Sequence, residues 1–267
     1  MSSSAKVYLM YHELEVRDRP LCQHEPGYVR YVLSAENFRQ QMDWLHAGQL
    51  QGLSISQALD GDTRPGVVIT FDDGCESDLM VAAPILKERG FGATFYITVG
   101  FLNRPGYMVP AQVRQLSDAG FDIGCHSMTH PYLSDLREAD LVREIVDAKH
   151  RLEEMTGRPV VNFSCPGGRW SCEVARIAKQ GGYRSVATSR IAANPSDADP
   201  YSLARVAIMR GTSLASFQST CRERGLWKRR ILADAQMSFR RVLGNTLYDR
   251  LRQAALGNPN GPKNGIS

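Results

Sequence analysis

The sequence predicts an α/β fold in which short parallel strands alternate with amphipathic helices. Several short apolar runs are each followed by a segment with apolar residues at helical spacing. The clearest of these runs is residues 66–71 (GVVITF). Glycines close several of these segments, as Gly90, Gly120 and Gly157 do. Repeated strand–helix units imply parallel strands joined by right-handed crossovers.

The elements follow from these patterns in chain order. Strands are predicted where apolar runs are short and bounded by turn residues, at 7–11, 66–71, 93–98, 121–125, 160–163, 185–188 and 205–209. Helices are predicted where apolar residues recur every three to four positions, at 35–45, 54–59, 79–89, 111–119, 138–156 and 172–180. Ser54 is expected to cap the second helix. Pro84 is compatible with the third helix only near its first turn.

Composition and charge limit the function classes. The chain has 267 residues with 43% hydrophobic and 22% charged residues, which is typical of a soluble globular protein. Its net charge of +4 is concentrated in residues 216–256, which hold nine Lys and Arg against three Asp and Glu, whereas the rest holds 23 against 25. The basicity therefore belongs to one segment, and nucleic-acid binding is not expected.

The compartment is predicted from missing signals and from the cysteines. The sequence contains no run of 18 apolar residues, and its start shows no basic region followed by a long apolar stretch. We therefore expect a cytoplasmic protein. Its six cysteines form no CxxC pair, so we expect reduced thiols and no structural zinc ribbon.

Two adjacent carboxylates follow the clearest strand. Asp72 and Asp73 come directly after residues 66–71 and precede Gly74. The turn at Gly74 can bring both side chains toward one pocket, where one can bind a metal while the other handles protons. A solvated turn is the alternative interpretation.

Two histidines follow a neighbouring predicted strand, 121–125. His126 and His130 are four residues apart, which on a helix would place both imidazoles on one face, in reach of one ion. One carboxylate and two imidazoles leave open positions on the ion, as in a catalytic metal site. The alternative interpretation is that two histidines stand four residues apart by chance.

A third segment follows strand 160–163. Pro166 removes a backbone donor, and Gly167 and Gly168 allow the chain to approach a ligand closely. Their N–H groups can form an oxyanion hole. An ordinary turn before the next helix is the alternative.

Together these segments resemble the polysaccharide deacetylase family, the NodB-homology domain of metal-dependent carbohydrate esterases. The sequences TFDDG at 70–74 and HSMTH at 126–130 match the first two motifs of the family in the right order. The resemblance covers roughly residues 5–210 and includes LMYH at 9–12 and HPYL at 130–133. It implies a distorted (β/α) barrel of the NodB-homology type, followed here by a C-terminal helical extension.

The resemblance also implies roles for the site residues. Asp73, His126 and His130 would bind a divalent metal ion, most commonly zinc, and Asp72 would be the general base. The reaction would be hydrolysis of an amide, with the oxyanion stabilised by the metal and by the N–H groups of Gly167 or Gly168.

The sequence departs from the family pattern at three places. Ser164 stands where the third motif often has an arginine that orients the base, so Arg169 or Arg205 is the expected replacement. Arg169 is otherwise a surface charge, and Arg205 otherwise contacts substrate or caps a strand. The late motif with a histidine acid is missing, which leaves His12 as an acid or as a packing residue. The tryptophan motif is not visible.

We expect residues 1–215 to form the catalytic domain, 216–256 a basic amphipathic helical extension, and 257–267 a disordered tail. The extension either contacts an anionic membrane surface peripherally, on its cytoplasmic face, or packs on the barrel. Three cysteines beside the motifs are interpreted as small buried side chains, not as ligands; these are Cys75, Cys125 and Cys165.

The predicted function is metal-dependent deacetylation of an N-acetylated sugar, either a polysaccharide or a lipid-linked or nucleotide-linked glycan precursor. The alternatives are a deformylase, another small-molecule amide hydrolase on the same metal site, and a non-catalytic binding module of the same fold.

Overall fold

The computed structural model describes residues 5–231, which form a parallel sheet with helices packed against it. The strands are β1 Tyr8–Tyr11, β2 Leu14–Glu15, β3 Leu33–Ser34, β4 Gln51–Leu53, β5 Gly66–Phe71, β6 Thr94–Ile97, β7 Asp122–Cys125, β8 Asn162–Ser164, β9 Ser185–Ala187 and β10 Val206–Ala207. The α-helices are α1 Pro26–Val29, α2 Ala35–Ala47, α3 Ile55–Leu59, α4 Ala83–Lys87, α5 Pro110–Asp118, α6 Glu138–Val142, α7 Ala148–Thr156, α8 Cys172–Gln180 and α9 Leu214–Cys221.

The main sheet is parallel and curls toward closure. Its strand order is β10-β1-β5-β6-β7-β8-β9, with β4 beside the first half of β5. Leu203 exchanges backbone hydrogen bonds with the β9 edge, donating to Val186 O at 2.9 Å and accepting from Thr188 N at 2.8 Å. A few residues later, β10 pairs with β1. The segment 203–207 therefore pairs with β9 and with β1, near the two ends of the strand order. The predicted parallel α/β architecture is confirmed.

The strongly periodic elements lie where the sequence predicts them. The strand 66–71 and the helix 172–180 have the predicted bounds, and Ser54 caps α3 by accepting a hydrogen bond from Gln57 N. The predicted helix 138–156 contains a π-helical turn, Arg143–Asp147, between α6 and α7. The small strands β2, β3 and β4 were not predicted, because each contains a single apolar residue, Leu14, Leu33 or Leu53, and so lacks the apolar run that marks a strand.

Alternating strand residues divide between two environments. Tyr11, Phe71 and Phe95 pair in register on adjacent strands, and their rings stack at 5.2 and 5.0 Å. Phe38 of α2 packs edge-on against the first two rings, so this face of the sheet meets the helices. Because neighbouring side chains on a strand point to opposite faces, Asp72 projects to the other face, into the interior of the curled sheet.

The predictions for the C-terminal segment concern mostly residues outside the described part of the chain. Helix α9 packs on α2, with Phe217 and Trp44 in edge contact at 5.9 Å, and the first compact unit extends to Leu226. It therefore includes the first residues of the predicted extension, 216–256. Residues 232–267 are not described, so the membrane surface and the disordered tail stay predictions. No helix of the described part of the chain is long and apolar enough to span a membrane.

A glycine on β7 makes room for an aromatic ring in the interior. A Cβ atom on Gly124 would lie 2.3 Å from Cδ1 of Tyr96, a contact that atoms cannot make. The ring of Tyr96 in turn lies 5.4 Å from the guanidinium carbon of Arg205. The packing of the interior therefore requires a residue without a side chain at position 124.

We expect Gly124→Ala to lower the free energy of unfolding by about 1–3 kcal/mol, because the methyl group displaces Tyr96. Gly27→Ala is the matched control, since a Cβ there meets nothing within 4 Å, and it should be neutral or stabilise by up to about 1 kcal/mol. Urea denaturation measures both variants. Equal stabilities of the two would contradict this packing argument.

Candidate active site

The predicted site residues gather at the carboxyl ends of the parallel strands. His12 follows β1, Asp72 and Asp73 follow β5, and His126 follows β7. The first residues after parallel strands meet at one end of the sheet, which is where barrel enzymes place their chemistry. The structure thus assembles residues that are distant in the chain.

Asp73, His126 and His130 converge. One ligand atom from each lies within 4.8 Å of the others. Nε2 of His130 is 3.4 Å from Oδ1 of Asp73, and Nε2 of His126 is 3.7 Å from the same oxygen. Asp73 and His126 are buried, whereas the His130 side chain is 32% exposed, so the group opens to solvent on that side.

The two histidines converge through a turn rather than along a helix face. Residues 126–130 contain no helix, and Ser127 and His130 both have left-handed φ angles, 69° and 65°. The His130 N–H donates to Ser127 Oγ at 2.9 Å, which holds the turn closed. The spacing therefore brings the imidazoles together, but by a different local geometry than the sequence suggested.

Glu144 supports this turn, a role that no sequence pattern indicated. Its carboxylate accepts hydrogen bonds from the N–H groups of Met128 at 2.9 Å and Thr129 at 2.8 Å, and from the Thr129 hydroxyl at 2.7 Å. Glu144 is buried in the π-helical turn between α6 and α7. A carboxylate inside a helical segment gives no pattern that would reveal such a contact.

The three side chains have the properties of metal ligands. Among the described residues, the buried Oδ1 of Asp73 has no hydrogen-bond partner. Nδ1 of His126 lies 2.9 Å from the Ser164 carbonyl oxygen, so a proton on Nδ1 leaves the Nε2 lone pair facing Asp73. This donor set fits a divalent ion such as zinc, which takes imidazole nitrogen and carboxylate oxygen.

Burial adjusts the protonation of these ligands. It lowers the pKa of His126 to about 3 and lowers that of His130, although the Asp72 carboxylate opposes both shifts. Burial also raises the pKa of Asp73 to about 6. Both imidazoles are therefore neutral at neutral pH and Asp73 is mostly ionised, which is the protonation state that a metal requires.

Asp72 is held by a buried arginine. Arg205 donates from Nη1 to Oδ1 at 2.7 Å and from Nη2 to Oδ2 at 2.8 Å, and both side chains are almost fully buried. Burial alone would raise the pKa of Asp72, but the Arg205 guanidinium outweighs it and holds that pKa well below its ordinary value. Asp72 is thus ionised throughout the physiological pH range.

The same arginine contacts the residue that replaces the family's motif arginine. Nη2 of Arg205 donates to Ser164 Oγ at 2.7 Å, and Nε donates to the Thr188 carbonyl oxygen at 3.0 Å. The sequence left open whether Arg169 or Arg205 orients Asp72. The structure pairs Arg205 with Asp72. The guanidinium carbon of Arg169 instead lies 4.9 Å from the ring centre of Tyr132.

His12 lies at the site, and one of its ring nitrogens, Nδ1, has no hydrogen-bond partner among the described residues. Its ring is 4.7 Å from that of Tyr31, and its Nδ1 is buried with no hydrogen bond to any residue between 5 and 231. His12 also acts electrostatically on Asp73, which places it near the carboxylates. The ring is therefore both packed and close to the reacting groups.

Residues 166–169 form a tight turn. Pro166–Gly168 is a 3₁₀ turn, and Gly167 and Gly168 have φ angles of 58° and 68° that favour glycine. The Gly168 N–H donates to the Cys165 carbonyl oxygen at 2.9 Å within the turn. This bond uses one of the two N–H groups predicted for the oxyanion, which leaves Gly167 as the one to consider.

Comparison with known proteins agrees with this geometry. The family model described as polysaccharide deacetylase matches residues 60–186. The Bacillus subtilis protein YxkH, provisionally named a polysaccharide deacetylase, is 29% identical over 188 residues, which are 68% of this chain and 67% of YxkH. The peptidoglycan-N-acetylglucosamine deacetylase of Bacillus cereus is 33% identical over 122 residues, 45% of this chain and 54% of that protein.

A solved structure shows the same fold. The Streptococcus pyogenes deacetylase PplD, in complex with acetate, superimposes with a TM-score of 0.71 at 23% identity and covers 82% of this chain and 98% of its own. The curled parallel sheet is thus the distorted barrel predicted from the motifs. The family match over residues 60–186, the relatives and the fold confirm the resemblance of this chain to the polysaccharide deacetylase family.

Proposed function

We propose that this protein is a metal-dependent deacetylase that hydrolyses the N-acetyl group of an N-acetylated sugar. The observation that carries the proposal is the ionised, arginine-held carboxylate of Asp72 beside the convergent Asp73, His126 and His130. Members of this family are hydrolases of carbon–nitrogen bonds, and a relative is named for an N-acetylglucosamine substrate. The chain spans about two thirds of YxkH and about half of the Bacillus cereus enzyme, so its substrate is part of the proposal.

Asp73, His126 and His130 would hold the metal ion, for which zinc is our proposal. A bound divalent ion supplies Lewis-acid chemistry, lowering the pKa of water from about 15.7 toward about 7 and polarising the amide carbonyl. Within the chain, Asp72 accepts the proton of the attacking water. Arg205 keeps Asp72 ionised and fixes both of its oxygens, so the carboxylate is a pre-oriented base.

The remaining residues act on the departing amine, the oxyanion and the substrate. His12 donates a proton to the departing amine, and Asp72 releases to solvent the proton that it took from water. Of the imidazoles that follow strand ends, His126 is assigned to the metal, which leaves His12 as the proposed acid. The Gly167 N–H is the proposed donor to the oxyanion, with Pro166 and Gly168 shaping the turn. Arg169, held against Tyr132, contacts the substrate.

Acetate release from chitooligosaccharides of N-acetylglucosamine tests the proposal. We expect activity that EDTA abolishes and zinc restores. Asp72→Asn should lower kcat by about 10²–10⁴-fold and retain the metal, because it removes the base and leaves the ligands. Asp118→Asn is the control. The Asp118 carboxylate is 61% exposed and has no part in the proposed reaction, so the kcat of this variant should equal that of the wild type.

Other outcomes would replace the proposal. Full activity of Asp72→Asn would reject Asp72 as the base. Cleavage of N-formyl but not N-acetyl sugars would indicate a deformylase, and sugar binding without turnover by the metal-loaded chain would indicate a binding module.

Arg205 is proposed as a positioning residue. Arg205→Gln removes the charge that holds the pKa of Asp72 down, so burial should raise that pKa and move the acidic limb of the pH–rate profile to higher pH. We expect kcat to fall at least about 100-fold. Arg169→Gln is the matched control and should leave the acidic limb in place.

Loss of a buried partner also destabilises, by about 3–5 kcal/mol. If Arg205→Gln does not fold, Ser164→Ala, which removes one hydrogen bond from Arg205, should give a smaller shift in the same direction. An unmoved acidic limb in every folded variant would contradict the positioning role.

For the acid role of His12, the alkaline limb of the pH–rate profile is the readout. His12→Ala should lower kcat by about 10²–10³-fold and remove that limb, because the proton donor is lost. His24→Ala is the control at a histidine given no role. An unchanged alkaline limb in His12→Ala would exclude His12 as the acid.

A further inference from the structure

A second group of metal-ligating side chains lies outside the deacetylase motifs. Glu13 follows the β1 strand end, Cys22 lies in the loop after β2, and Cys75 follows the Gly74 turn. One carboxylate oxygen and the two Sγ atoms lie within 4.8 Å of one another. Glu13 and Cys75 are buried and Cys22 is half-buried. We call this group the thiol cluster.

We propose that the thiol cluster binds a second divalent metal ion, zinc, in the reduced protein. Two thiolates with a carboxylate are a soft donor set that selects zinc over calcium or magnesium. In a tetrahedral zinc site, with bonds of about 2.3 Å to sulfur and about 2.0–2.2 Å to oxygen, ligand atoms lie roughly 3.3–3.8 Å apart. Only a small inward movement of the three side chains is required.

Hydrogen bonds already orient these ligands. The Tyr28 hydroxyl donates to Glu13 Oε2 at 2.9 Å and lies 3.4 Å from Cys75 Sγ. The Cys22 N–H lies 3.1 Å from both oxygens of the same carboxylate. Such outer contacts fix ligand rotamers before an ion binds. The Cys22 thiol, which donates to the Gly106 carbonyl oxygen at 3.0 Å, would lose its proton on binding.

A second carboxylate, that of Asp78, lies next to the cluster and has no hydrogen-bond partner among the described residues. Asp78 is completely buried, and neither of its carboxylate oxygens has a hydrogen-bond partner in the described part of the chain. Its N–H donates to the Cys75 carbonyl oxygen at 3.0 Å, and burial raises the pKa of the Asp78 carboxyl. A buried carboxylate without partners is costly unless a cation compensates it. We therefore infer that the Asp78 side chain, whose oxygens lie outside the group that converges within 4.8 Å, rotates to supply the fourth ligand when the ion binds.

The cluster is accessible to an ion from one side. A cavity of about 70 Å³ is lined by Glu13, Arg19, Glu76 and Gly106. Of the thiol cluster, Glu13 lines this cavity and neither cysteine does; Gly106, whose carbonyl oxygen the Cys22 thiol contacts, also lines it. This volume holds several water molecules, so a hydrated ion can reach the ligands from there.

Four protein ligands leave no open position, so the second ion would be structural rather than catalytic. It would fix Cys75, which is two residues from Asp73 across the left-handed turn at Asp73 and Gly74. The cluster would thereby hold the strand end that carries Asp72 and Asp73. This inference does not depend on the proposed reaction.

Cobalt(II) titration of the full, reduced chain tests the second site. Thiolate ligands give a near-ultraviolet charge-transfer absorption with Co²⁺ that carboxylate and imidazole ligands do not. We expect this absorption to saturate once both proposed sites are filled, at no more than two equivalents of Co²⁺ per chain, and to disappear when zinc displaces cobalt. Asp73→Asn, which removes a ligand of the first site only, should keep it.

Variants of the ligands complete the test. Cys22→Ser, at a half-buried position, should abolish the absorption, whereas Cys165→Ser, at a buried thiol outside the cluster, should retain it. Asp78→Asn should weaken Co²⁺ binding at least about tenfold. Cys75→Ser serves as a second variant, in case Cys22→Ser does not fold.

Three results would overturn the inference. They are the absence of the absorption in the reduced wild-type chain, its full retention in Cys22→Ser, and a Cys22–Cys75 disulfide that persists under reducing conditions. Unchanged Co²⁺ affinity in Asp78→Asn would remove Asp78 from the ligand set.

Discussion

The buried ion pair between Asp72 and Arg205 is the interaction on which the rest of the site depends. Both side chains are almost fully buried, and both oxygens of Asp72 are bound, at 2.7 and 2.8 Å. Either charge alone in this interior would cost several kcal/mol. Arg205 stands in the segment that links β9 to β1, so curling of the sheet and ionisation of Asp72 are parts of one arrangement.

Strand alternation explains how one sheet carries both a hydrophobic core and this polar interior. The rings of Tyr11, Phe71 and Phe95 lie on the face that meets α2, while the residues between them project inward. The interior is lined partly by Tyr96, for which Gly124 leaves room. Arg205 then packs against Tyr96, so an apolar contact supports the charged one.

Two groups of ligands with different chemistry meet near the β5 strand end. Asp73 with His126 and His130 offers oxygen and nitrogen and opens to solvent, which suits an exchangeable position on an ion. The thiol cluster offers sulfur and oxygen, from two buried residues and the half-buried Cys22. The positive φ angles of Asp73 and Gly74 turn the chain between them, which lets neighbouring residues serve separate groups.

The sequence by itself determined the parallel α/β class, the long periodic elements and the positions of Asp72, Asp73, His126 and His130 at strand ends, because these depend on local patterns. It could not show β2 or β3, each of which contains one apolar residue and therefore no strand pattern. Only the tertiary structure decided that Arg205, rather than Arg169, pairs with Asp72, and that Cys22 approaches Cys75. Arg205 and Asp72 are 133 residues apart, and such partners meet only when the sheet curls and brings its two ends together.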